Sequence, residues 1–227
     1  MLKEILYSPY FGVALAIICF QIGTFIQQKL RTPIANPLFI AALLIVGFLT
    51  VFNIPTAAFY VGSDLIGLFL APATAALAVP MYKNLQVIKA NLLPILLGTM
   101  VGSLSCVLMI VLFCQIFGLS ETIQLSMLSK STTMPIAMSI TEQLGGVVPI
   151  TVVCVVFTGI LGSIITPWLI KICRIDNEVA QGIGIGTCSH AVGTTKAVEL
   201  GEIQGAMSGI AMGLAGLFTV FWALLLL

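Results

Sequence analysis

The sequence predicts an all-α polytopic membrane protein, with about six full spans plus two re-entrant or broken helical hairpins in an inverted repeat. Three observations carry this. The chain of 227 residues is 59% hydrophobic and only 7% charged, where a soluble domain averages roughly 25% charged residues. Apolar runs recur along it, each near the ~20 residues that cross a ~30 Å hydrocarbon core. Two segments in the second half have polar centres rich in Gly, Ser, Thr and Pro. With nine Lys+Arg and eight Asp+Glu, a water-facing surface cannot be covered. A cytosolic enzyme and a disordered chain are excluded. The net charge of +1 leaves no basic stripe, so no nucleic acid is expected as a partner. The lipid bilayer is.

Tyr7 to Gln28 forms the first span, closed by Lys29 and Arg31. It is read as a transmembrane helix and not a signal peptide, because no small-x-small cleavage site follows and further spans do. Ile34 to Phe52 is the second. Phe59 to Tyr82 is the third, interrupted by Ala71-Pro72-Ala73-Thr74. Proline removes a helical hydrogen bond and clashes with the preceding turn, so the helix breaks there, with Pro72 and Thr74 turned toward the site. Asp64 is either a coupling-ion ligand or a helix N-cap after Gly62-Ser63. Asn91 to Phe117 is the fourth span, with Gly98, Gly102, Ser103 and Ser105 allowing close helix contact. Ser120 to Gly146 and Asp176 to Glu202 are composite, and each precedes a clean span, Val147 to Ile170 and Gln204 to Leu227. One membrane domain covers residues 1–227, scaffold-like over 1–117 and carrying the hairpins over 118–227. The six cysteines include no CxxC and are read as small apolar packing residues.

The composites align at an offset of 56 residues: Thr133 on Ser189, Ser139 on Thr195, Leu144-Gly145 on Leu200-Gly201. Charge sorts their topology. Lys29/Arg31, Lys83/Lys89 and Lys171/Arg174 follow spans one, three and Val147–Ile170, and cytoplasmic loops collect Lys and Arg. Lys171/Arg174 reach the cytoplasm only if Ser120–Gly146 turns back as a hairpin. Its 27 residues then divide into two arms of about 11, each rising ~16 Å at 1.5 Å per residue. Asp176–Glu202 becomes the second hairpin, coming from the cytoplasm. Inverted repeats with broken helices place a transporter's site at the midplane.

The breaks hold the candidate site. The first offers Lys130, Ser131, Thr132 and Thr133 and ends in Pro135. The second offers Thr187, Ser189, His190, Gly193, Thr194, Thr195 and Lys196. An ionised Lys within a membrane costs roughly 2.5–3.5 kcal/mol, so Lys130 needs a partner or an anion. Gly-rich backbone at helix N-termini can cradle a carboxylate. His190 is the lone His and a proton-coupling candidate, since its ring titrates near neutrality. Lys196 is a second cation or pairs with Glu199 or Glu142. Hydroxyls and cations without an acidic cluster favour a small organic anion as substrate. No nucleophile–base pair, Walker loop or metal-ligand set is present in the sequence, so neither catalysis, a metal nor another cofactor is expected.

Lys130-Ser131-Thr132-Thr133-Met134-Pro135-Ile136-Ala137, followed by Thr141-Glu142-Gln143-Leu144-Gly145-Gly146, resembles the KSVTTPIA…SEQIGG signature of the LrgB/CidB family. Gly186-Thr187-Cys188-Ser189-His190-Ala191-Val192-Gly193-Thr194 and Ala211-Met212-Gly213-Leu214-Ala215-Gly216 continue the resemblance, and Phe69 through Tyr82 extends it upstream. Met134 stands where the family usually has Thr, and Ala191 where it usually has Gly. The second departure argues against a strained backbone at 191. The resemblance implies a multi-pass protein of the bacterial inner membrane, paired with a small LrgA/CidA-type membrane protein; a homo-oligomer (a dimer) is expected besides, with the early spans forming its contact. It implies two functional stories. One is antiholin-like regulation of murein hydrolase export and autolysis. The other, through the related plant plastid glycolate/glycerate translocator, is transport of small monocarboxylates such as glycolate, glycerate, lactate or pyruvate. Two polar midplane breaks favour the second story, since a pore former has no use for them.

Overall fold

In a bilayer every backbone N–H and C=O must be paired within the protein, which leaves helices as the natural form for these apolar runs. The computed structural model describes residues 6–30, 37–69, 72, 75–76 and 78–226, and the described residues contain helices and no strand. Contacts divide the chain into residues 1–76 and 77–227.

The first unit holds α1 (Pro9–Leu30), α2 (Pro37–Val51) and α3 (Thr56–Gly67). Leu15 and Cys19 of α1 pack on Ala41 and Leu49 of α2, with Phe11, Phe48 and Phe59 around them. Gly12 lets α1 touch α3, since a Cβ there would meet the Gly62 Cα at 2.9 Å. The third expected span stops early. α3 ends at Gly67, whose Leu68 cap donates its N–H to the Asp64 carbonyl at 3.2 Å. Glycine costs about 1 kcal/mol in a helix interior, and it falls one turn ahead of Pro72. Pro72 itself is helical and exposed, and Thr74 lies outside the described residues. Asp64 is exposed in the last turn of α3, so it is no N-cap: the helix opens eight residues earlier, at Thr56.

The second unit holds α4 (Ala78–Lys83), α5 (Leu85–Ala90), α6 (Leu92–Ile116), α7 (Glu121–Met127), α8 (Met134–Leu144), α9 (Val148–Ile172), α10 (Glu178–Leu200) and α11 (Glu202–Leu226). Ile88, Ile95, Ile183, Ala206, Met207 and Ala211 form one core, and Val107, Leu128, Ile140 and Ala223 another. The alanines and glycines of α11 keep it thin enough to be the central helix of this unit. Trp222 donates its indole N–H to Ser103 Oγ of α6 at 3.1 Å.

Among the described residues, four helices are long and apolar enough to cross a membrane: α1, α6, α9 and α11. α2 has 15 residues and rises about 22 Å, short of the ~30 Å core.

Candidate functional site

Each composite segment folds as two helices meeting at a break. In the first, Ser120 opens α7 and Glu121 sits in its first turn, where an acid complements the helix dipole. α7 has 7 residues, shorter than the expected arm of about 11, while α8 has 11. Ser129 and Thr132 explain the early stop. Ser129 Oγ donates to the Ala137 carbonyl across the turn at 3.1 Å, and Thr132 Oγ1 donates back to the Ser129 carbonyl at 2.9 Å. Hydroxyls that offer the backbone such alternatives favour turns over helix. Pro135 then lies in the first turn of α8, where its missing N–H has no helical partner to lose. Gly145, at φ 75°, closes α8 in the left-handed conformation.

The arms run antiparallel. Ser129 meets Ala137 and Thr141 near the tip. Ser126 meets Val147 at the open end, accepting its N–H at 2.7 Å. Thr151 of α9 donates to the Ser126 carbonyl at 2.7 Å and lies 2.8 Å from Thr141 Oγ1. Ser126, Ser129, Thr141 and Thr151 are all fully buried.

α10 is the second hairpin. Its helical geometry fails at one residue, His190, at φ 42° and ψ −139°. The strain sits on His190 and not on the following Ala191, in keeping with the expectation for that position. Both arms lie against the start of α11. Gln181 accepts from Gln204 Nε2 at 3.2 Å, and a Cβ on Gly205 would stand 2.7 Å from Val198. Nearer the break, Gly186 abuts Ser208, and Thr194 Oγ1 lies 2.9 Å from Ser208 Oγ. The chain therefore doubles back at His190.

α11 orders the two hairpins. Gln204 and Gly205 meet the open end of the second hairpin, and Ser208 and Met212 meet Thr194 near its break. Gly216 meets Ile136 beside the first break, and Ala223 shares a cluster with Leu128 and Ile140. The hairpins thus lie end to end along α11 with their breaks facing each other.

Between the breaks stand Cys106 of α6, Cys188, Ser131 and Lys130. Cys106, Cys188, Ser131 and the Lys130 ammonium lie close enough to influence one another electrostatically. Lys130 is half-buried and donates to Ser131 Oγ at 3.3 Å. Among the described residues no carboxylate lies within ion-pairing distance of it.

The other expected site residues divide. Ser131, Thr132, Thr187, Ser189, His190, Gly193 and Thr194 are buried at or near the breaks, and Thr133 is half-buried as the residue before α8. Three of these hydroxyl protons are already used: Thr132 donates to the Ser129 carbonyl at 2.9 Å, Thr187 to the Ile183 carbonyl at 2.7 Å and Thr194 to the His190 carbonyl at 2.8 Å. His190 is buried, with Nε2 2.9 Å from the Val155 carbonyl of α9. Thr195 is exposed and donates to Val192. Lys196 is not brought to the breaks; it pairs with Glu199 at 2.7 Å on an exposed face. The i,i+3 spacing of these two charges had already made that pairing available. Cys106 and Cys188 were missed, because an isolated Cys in an apolar run carries no local sign of its partner.

The LrgB-like family model matches residues 16–227. The chain is 35% identical over 195 residues to "Uncharacterized protein YwbG" of Bacillus subtilis (strain 168), covering 86% of this chain and 87% of that protein. It is 33% identical over 214 residues to "Antiholin-like protein LrgB" of Bacillus cereus (strain B4264), covering 94% of this chain and 93% of that protein. The same figures hold for the protein of that name from Bacillus anthracis (strain CDC 684 / NRRL 3495). No solved structure matches the chain.

Proposed function

The chain belongs to the LrgB-like family of multi-pass membrane proteins, and from that premise we propose that it carries a small monocarboxylate past the two facing hairpin breaks. Lys130 is the observation behind this reading. Each break joins a helix C-terminus to a helix N-terminus, whose partial charges of about −0.5 and +0.5 offset one another. The half-buried, unpaired ammonium of Lys130 is what tips the balance toward an anion. The N–H groups that open α8 and the second arm of α10, with Ser131 and Thr133, would hold the carboxylate; His190 is the candidate for proton coupling.

The inverted-repeat reading has support in paired contacts. Ser126–Thr151 and Ser129–Ala137 in the first half recur, 56 residues on, as Gly182–Met207 and Ile185–Gly193. The substrate class is that of glycolate, glycerate, lactate or pyruvate. We place the protein in the bacterial cytoplasmic membrane, as a homo-oligomer acting with an LrgA-like small membrane subunit.

The name "Antiholin-like protein LrgB" borne by the two Bacillus cereus and Bacillus anthracis relatives favours a second reading, antiholin-like regulation of murein hydrolase export and autolysis without transport. Proteoliposomes separate the two. Purified protein, with and without the small subunit, is expected to take up radiolabelled lactate, pyruvate or glycolate. If none moves in either preparation, while loss of the protein still alters autolysis of the host cell, the regulatory reading stands and carriage fails.

A further inference from the structure

Cys106 and Cys188 have no role in either reading, yet they lie on α6 and on the second hairpin beside the place where these two helices pack. Small residues bring these helices together: a Cβ on Gly98 would stand 3.1 Å from Ile183 Cγ2, and one on Gly102 would stand 2.7 Å from Thr187 Cγ2. Cys106 follows Gly102 by one turn and Cys188 follows Thr187 directly. Close backbones suit a disulfide, which needs Cα atoms about 4.4–6.8 Å apart. Both thiols are free, with Cys188 exposed and Cys106 half-buried. That helix contact brings the two thiols within electrostatic reach of each other and of the Lys130 ammonium. A neighbouring cation is the setting in which thiols react. Cys19 and Cys114 are buried instead in apolar helix packing.

We propose that Cys106 and Cys188 are a peroxide-oxidisable thiol pair whose disulfide pins the second hairpin to α6. The oxidant is hydrogen peroxide or an organic hydroperoxide. One sulfur, as thiolate, attacks a peroxide oxygen; the O–O bond breaks, the departing oxygen leaves as water or alcohol, and that sulfur becomes a sulfenic acid. The second sulfur attacks it, the S–S bond forms, the S–O bond breaks and one water leaves. The two sulfurs give up two electrons and the peroxide accepts them. A dithiol reverses the step.

The bond would hold α10 to α6 at the break where the anion is proposed to pass, and its effect on uptake rests on that transport reading. Formation of the bond does not. Membrane vesicles holding the full chain are treated with hydrogen peroxide, blocked with N-ethylmaleimide, digested and mapped by mass spectrometry. The expected result is a peptide linked through Cys106 and Cys188, lost on treatment with dithiothreitol and not formed in C106S or C188S. Recovery of both cysteines as separate maleimide adducts, or linkage of either to another cysteine, overturns the proposal. In the same vesicles uptake should be lost on oxidation and regained with dithiothreitol. A linked peptide in vesicles that show no uptake at all leaves the thiol pair standing and counts against transport alone.

Discussion

Thr141 Oγ1 and Thr151 Oγ1 lie 2.8 Å apart with no exposed surface, joining the returning arm of the first hairpin to the start of α9. The direction of this bond follows from its neighbours. A hydroxyl has one proton. Thr151 directs its proton to the Ser126 carbonyl at 2.7 Å, so Thr141 is the donor between the two threonines.

That direction predicts unequal costs. Thr151→Val takes away the donor to the Ser126 carbonyl and leaves the Thr141 hydroxyl only the longer contact to Ser129 Oγ at 3.4 Å, whereas Thr141→Val leaves a spare lone pair on Thr151 and loses that longer contact. Side-chain hydrogen bonds between membrane helices average about 0.6 kcal/mol and reach about 1.7. Thr151→Val should lie near the upper figure and Thr141→Val near the lower, read from thermal unfolding in detergent. The double variant should cost less than the sum, because the two share one bond. A larger loss for Thr141→Val would reverse the assigned direction.

At Gly182 the second hairpin meets its span by close packing, where the first hairpin has the bond from Thr151 to the Ser126 carbonyl. A Cβ on Gly182 would stand 2.5 Å from Met207 Cβ and 2.6 Å from the Gln204 carbonyl, while one on Gly184 would meet nothing within 4 Å. Overpacking costs about 1–3 kcal/mol, and alanine gains about 1 kcal/mol over glycine in an open helix position. Gly182→Ala should therefore lower the unfolding temperature and Gly184→Ala raise it. Equal effects would mean that Gly182 is not an interface residue.

This contrast marks what the sequence could reveal. Span limits were legible: Asn91–Phe117 became α6, Leu92–Ile116, because apolar length and helix length share one cause. The polar breaks were legible too, since Lys130 to Pro135 cannot continue an apolar helix without loss. The end of α3 at Gly67 was not, because Pro72 is the louder signal five residues later. At the candidate site, Lys130 and Ser131 stand out in the sequence as polar residues in an apolar context. Cys106 and Cys188 are 82 residues apart in sequence, so their placement on neighbouring helices leaves no local pattern. For Lys196 the sequence left a second cation at the site or a pair with Glu199 or Glu142 open, and the structure pairs it with Glu199.

His190 invites a comparison that inverts the usual helix preference. Its φ of 42° with ψ −139° is a backbone region that glycine adopts freely. His190→Ala and His190→Gly both lose the bond from Nε2 to the Val155 carbonyl. Only Ala keeps the strain, which costs on the order of 1–3 kcal/mol. His190→Gly should therefore unfold at a higher temperature than His190→Ala, although alanine is the better helix former elsewhere. If Ala is the more stable of the two, His190 does not hold a strained turn.

Lys130 and Lys196 separate site from surface. Lys196 has its counter-ion in Glu199, with the two side chains 33% and 66% exposed, and exposed pairs contribute little. Lys196→Met should leave anion binding and folding unchanged. Lys130 has no counter-ion among the described residues, so a bound carboxylate would be its partner. A hydrogen bond to a charged group contributes about 1.5–3 kcal/mol, so Lys130→Met should weaken anion binding roughly ten- to a hundredfold. Removing a half-buried, unpaired charge should at the same time hold or raise the unfolding temperature. Binding measured by calorimetry on detergent-purified protein, beside the melting curve, checks both halves. Weaker binding together with a lower melting temperature would make Lys130 a structural residue, and unchanged binding would remove it from the site.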